Sequence, residues 1–106
     1  MAINTVRKGN RTALKAKKFY EALGYQVEVV RRDKWRKDQD FFGLWDFICV
    51  NKISVIFVQV KTNARPNKEW LQKADKWKCP RGTTKEYVVY RDYQKGIAPS
   101  ERVILL

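Results

Sequence analysis

Residues 41–62 read FFGLWDFICVNKISVIFVQVKT, and the fold turns on how this stretch is taken. It reads as two apolar strands joined by a tight turn at Asn51-Lys52. Three polar side chains interrupt them: Asp46, Gln59 and Lys61. In a strand, residues two apart share a face. Leu44, Asp46, Ile48 and Val50 therefore fall on one face of the first strand. Ile53, Val55, Phe57, Gln59 and Lys61 fall on one face of the second. A two-residue turn pairs Val50 with Ile53 and sets Asp46 opposite Phe57. Gln59 is then the diagonal neighbour of Asp46, about 7–8 Å away between backbones. A carboxylate, an amide and an ammonium would converge at one end of a largely apolar sheet. Buried charge is costly unless it is paired or bound to a metal. The cluster is thus either a buried Asp46–Lys61 ion pair or a functional site. Phe47 and Cys49 oppose Ile48 and Val50, so both faces are apolar. That is the pattern of strands lying inside a sheet covered by helices.

The chain has 106 residues, enough for a single domain over 1–106 with one modest core. Hydrophobic residues make up 44%, with four Trp, five Tyr and five Phe, which excludes a disordered basic tail. Lys and Arg outnumber Asp and Glu by 23 to 11, a net charge of +12. Such an excess on a small domain implies an anionic partner, first of all nucleic acid. A membrane is not expected, because the apolar residues are committed to strands and helix faces and no run is long enough to span a bilayer. The opening MAINTVRKGN lacks the apolar core of a signal peptide, so a cytoplasmic location is expected. Two distant Cys and no His exclude an ordinary zinc site. Cys49 reads as a small core residue.

Arg7 to Leu23 reads as a helix, with Ala13, Ala16, Tyr20 and Leu23 at core-facing spacing and Gly24 as its stop. Lys8, Arg11, Lys15 and Lys18 form a basic stripe on another face, either solvated or phosphate-binding. Tyr25 to Val30 is a first strand. Arg31, Arg32, Lys34, Trp35, Arg36 and Lys37 then crowd a charged loop. Trp35 either stacks on a base or folds back on the core. After the central hairpin, Trp70, Ala74 and Trp77 mark one face of a second helix that ends before Pro80. Arg81-Gly82-Thr83-Thr84 reads as a turn, Glu86 to Arg91 as a strand, Asp92 to Ser100 as a loop and Arg102 to Leu106 as a final strand. The order is α-β-β-β-α-β-β.

Asp46, twelve intervening residues and then Gln59-Val60-Lys61 resembles the signature of the PD-(D/E)XK nuclease superfamily. Arg7-Lys8-Gly9, the helix, Gly24-Tyr25, a strand and a basic loop before the Asp resemble its archaeal Holliday-junction-resolvase-like branch. The resemblance spans about Arg7 to Thr62. It implies an α/β, restriction-endonuclease-like fold, a mixed central sheet flanked by helices. It also implies magnesium- or manganese-dependent cleavage of DNA phosphodiesters, and a homodimer, as junction resolvases form. Asp46, Gln59 and the Val60 carbonyl would be the metal ligands. Lys61 would stabilise developing charge and orient the attacking water.

Two departures qualify this. Gln59 stands where the family has its second acid, and Ala13 where related resolvases carry a helix acid. Asp40 is a further candidate carboxylate. The alternative is a catalytically degenerate nuclease-fold protein that binds nucleic acid through its basic surface.

Overall fold

The computed structural model describes residues 2–29, 41–42, 44–92 and 94–105, with side chains from Arg11 onward. Helix α1 runs Ala2–Ala22 and strand β1 Gln26–Val29. Strands β2 (Phe47–Val50) and β3 (Val55–Thr62) follow, then helix α2 (Lys68–Lys76). Strands β4 (Thr83–Tyr90) and β5 (Glu101–Leu105) complete the order. One five-stranded sheet results, ordered β1-β2-β3-β4-β5. All neighbours are antiparallel except β3 and β4, which run parallel with α2 as their crossover.

Alternation along the strands divides the core in two. Phe47, Cys49, Ile56, Val58, Val88 and Tyr90 point to one face, where Ala16 and Tyr20 of α1 meet them. Phe57 points to the other face, where Ala74, Trp70 and Trp77 of α2 pack with Leu44, Trp45 and Leu105. This second layer is aromatic, with Trp45 edge-on to Trp70 at 5.4 Å and Phe57 edge-on to Trp77 at 4.7 Å between ring centroids. Such pairs add about 0.5–1.5 kcal/mol each beyond their burial. The protein is therefore a small α/β domain with a mixed sheet and a helix on each face.

The helix ends follow local chemistry. The Tyr25 N–H donates to the Tyr20 carbonyl and the Gly24 N–H to that of Glu21, with Gly24 at φ +95°. That is the Schellman arrangement, and the left-handed conformation favours glycine there. At α2, the Asn67 side chain accepts the Trp70 N–H at 2.7 Å, an N-cap.

The central hairpin differs from the sequence expectation. Val50 pairs with Val55, not Ile53, and Phe57 pairs with Ile48, not Asp46. The turn is longer because Asn51 builds it. Its Oδ1 accepts the N–H groups of Ile53 and Ser54 at 2.9 and 2.8 Å. Ile53, apolar and thus expected in the strand, is 86% exposed. The shift is two residues, so the paired side chains of β2 and β3 keep their expected faces.

The first strand is also shorter than expected. Phe41 to Trp45 closes on itself, with the Phe41 N–H on the Trp45 carbonyl at 2.7 Å. Leu44 and Trp45 are consequently both buried in the α2-side cluster. Conversely, Thr83 and Thr84 leave the expected turn for β4, because they pair with Val55 and Ile56. Helix α1 begins at Ala2, ahead of Arg7.

Candidate functional site

Asp46 sits at the mouth of β2, 8% exposed, with its N–H on the Val58 carbonyl at 2.8 Å. Extending the register by one step sets it level with Gln59. Asp46 Oδ2 accepts the Val60 N–H at 3.0 Å. Gln59, 3% exposed, turns its amide nitrogen to the same oxygen at 3.1 Å and to the Leu44 carbonyl at 2.8 Å, the orientation the hydrogen-bond network assigns. Strand alternation carries Lys61 to the same face, where it is exposed. The Val60 side chain points to the α1 face and packs there. Tyr87, the β4 partner of Gln59, has its phenol pushed above the usual tyrosine range by burial and then by the Asp46 charge.

Asp46 and Gln59 thus meet directly, and Lys61 is the next residue on their face. Ala13 is half-buried on α1 against the sheet. Asp40 and the loop residues Arg31, Arg32, Lys34, Trp35, Arg36 and Lys37 lie outside the described residues, as does the side chain of Lys8. Among the described residues, no three His, Cys, Asp or Glu side chains converge. Hard divalent cations take oxygen ligands. The Asp46 carboxylate, the Val60 carbonyl and the Gln59 amide oxygen fit in kind. However, the amide presents its nitrogen to Asp46, so Gln59 can serve only by turning over and releasing two hydrogen bonds.

The basic stripe is only partly solvated. Arg11 and Lys18 are exposed, whereas Lys15 is half-buried with its Nζ on the Gln94 carbonyl at 3.3 Å. Arg11 and Lys15 line a cleft of about 170 Å³ with Thr12, Thr62, Arg91 and Asp92. The parallel pairing of Thr62 with Tyr90 creates it, and nothing in the local sequence pattern marks it.

Two further charges are buried, at Glu86 and Lys85. Glu86 accepts the Tyr20 hydroxyl at 2.8 Å and a two-pronged Arg102 at 2.6 and 3.0 Å. Burial, reinforced by Glu86, pushes the Tyr20 phenol up, and the hydrogen bond to Glu86 does the same to Arg102. Lys85 Nζ donates to the carbonyls of Ala74, Asp75 and Trp77 at 2.7, 3.2 and 3.1 Å. Alternation along β4 could have put these adjacent residues on opposite faces, but not named their partners.

No protein-family model, no curated protein and no solved structure matches the chain. Among the described residues, no helix is long and apolar enough to cross a membrane.

Proposed function

We propose that the chain is a metal-dependent endonuclease acting on DNA, on a restriction-endonuclease-like scaffold of the PD-(D/E)XK kind. The observation that carries this reading is the direct meeting of Asp46 with Gln59 on adjacent antiparallel strands, with Lys61 next on the same face. The mixed sheet with a helix on each face supports it. Asp46 and the Val60 carbonyl would hold magnesium or manganese, with Gln59 joining after its amide turns. When bound, the ion supplies phosphate polarisation and a more acidic water. The Lys61 ammonium pairs with the scissile phosphate and orients the attacking water. Arg11, Lys15 and Lys18 hold the strand by its phosphates.

One observation favours a second reading. With its nitrogen on Asp46, Gln59 satisfies the carboxylate as a structural partner would. A nuclease-fold protein that has lost cleavage and binds nucleic acid through its basic surface would look the same.

The test is an assay on labelled junction, duplex and single-stranded DNA, with and without manganese, across a salt series. Manganese-dependent cutting supports the first reading. Asp46→Asn and Lys61→Ala are expected to abolish it while leaving DNA affinity nearly intact. Binding that weakens steeply with salt, through counterion release, but without cutting supports the second. Binding insensitive to salt would remove both.

A further inference from the structure

The cleft beside α1 is separated from Asp46 by the sheet. Thr62 faces α1, whereas Lys61, one residue earlier, faces α2. The walls carry three cations from two parts of the chain. Arg11 and Lys15 lie one turn apart on α1, and Arg91 follows β4. Each is positioned differently: Arg11 is exposed, Lys15 leans on the Gln94 carbonyl, and Arg91 Nη2 stands 3.7 Å from Glu101. Between them lie the hydroxyls of Thr12 and Thr62, 2.8 Å apart. Two hydroxyls sharing one hydrogen bond leave one proton to give elsewhere. Among the described residues Asp92 is the one acid on the wall, and its Oδ2 accepts the Asn63 amide at 2.8 Å.

Cationic heads around hydroxyl donors suit a phosphate ester. The size narrows this further. At about 170 Å³, the cleft is below the roughly 300–1,000 Å³ of small-molecule pockets. It suits one phosphate group with the rest of its carrier outside. We infer that the cleft is a phosphate-binding subsite for a nucleic-acid strand, taking an internal diester or a terminal monoester. The inference rests on the nucleic-acid reading above and adds to it. The strand is gripped at the end of β3, one residue beyond Lys61, by residues from α1, β3 and the segment after β4.

The test uses fluorescence anisotropy of the full chain with a labelled single-stranded oligonucleotide, 5′-phosphorylated or 5′-hydroxyl, at one fixed salt. Arg11→Ala combined with Arg91→Ala should weaken binding about tenfold or more, the size of a charge-assisted hydrogen bond or two. Thr62→Val, which leaves the charge unchanged, should also weaken it. Lys76→Ala, at the exposed end of α2, should change it by less than about twofold, as for a distant surface charge. Thermal melts verify that each variant stays folded. Tighter binding of the 5′-phosphorylated strand assigns the monoester, and equal binding assigns the diester; either supports the subsite. Losses per charge removed that match at Lys76 and at Arg11 with Arg91, together with an unaltered Thr62→Val, would overturn the subsite alone. No binding by the unmodified protein at low salt would overturn the nucleic-acid reading and the subsite with it.

Discussion

On the α1 face a buried carboxylate, Glu86 at 2% exposure, is met by side chains from two other elements, Tyr20 of α1 and Arg102 of β5. On the α2 face its sequence neighbour, Lys85 at 5% exposure, is met by three backbone carbonyls at the end of α2. Both charges are satisfied, but by different means. Glu86 depends on the identities of Tyr20 and Arg102, so a substitution at either partner strands it. Lys85 depends on carbonyls that no substitution removes, and it meets the negative end of the α2 dipole. One strand thus pins both helices, α1 through side-chain pairing and α2 through helix capping.

Four variants or conditions probe this contrast. The largest effect is expected from Arg102→Met, which leaves the Glu86 carboxylate with the Tyr20 hydroxyl alone. Breaking a buried pair from one side costs about 3–5 kcal/mol, read as a lower urea midpoint. A loss below about 1 kcal/mol would mean that water replaces the guanidinium and that the pin on α1 is weak. Lys85→Met should cost about 2–3 kcal/mol, because three carbonyls lose a charged donor. If the two losses are equal, capping offers no protection over pairing.

Gln59→Glu should cost about 1–3 kcal/mol at neutral pH, because a carboxylate then faces the Leu44 carbonyl and Asp46 Oδ2 where an N–H donated. The loss should shrink as pH falls and the new carboxyl protonates. If the site takes a metal ion as proposed, calorimetric titration should show manganese bound more tightly by this variant than by the parent. No tightening would mean that position 59 does not reach the ion.

The effect that is smallest near neutral pH is an alkaline loss of stability. Burial, with Glu86 adding, pushes the Cys49 thiol up to about 12 from 9.0, and burial also raises the phenols of Tyr20, Tyr87 and Tyr90. The unfolded chain releases these protons first, so it binds fewer than the folded chain, and stability falls as pH rises. Stability should be level in these groups below pH 9 and decline from there toward 12. A flat denaturant midpoint across that window would contradict their burial.

The faces of Asp46, Gln59 and Lys61 were legible because period-two alternation survives an error in the turn. The register was not legible, because it depends on the Asn51 side chain taking two backbone N–H groups. Hydrophobicity alone placed Ile53 in the strand, and nothing in a one-dimensional pattern contradicts that. Phe42 is a related case. It is 71% exposed with φ +56°, a conformation that is costly for a bulky residue, yet its ring packs 5.1 Å from that of Trp77. A local loop closure and an aromatic contact 35 residues away decide its position, and neither has a sequence signature. Similarly, the strand at Glu86 was legible but the pairing of Glu86 with Arg102 was not, since any of the 23 cations could have filled that role.

The parallel pairing of β3 with β4 also sets an order of assembly. The Asp46–Val60 contact spans 14 residues and forms within one local hairpin. The Thr12–Thr62 and Lys15–Gln94 contacts span 50 and 79 and need α1 docked and the crossover closed. Longer loops cost more entropy to close and form more slowly. Native-state amide exchange should therefore protect the Val60 N–H, on Asp46, longer than the Asn63 N–H, which reaches across to Tyr90. A chain caught partly unfolded would keep its carboxylate and amide together and have already lost the Thr12–Thr62 contact and the cleft around it.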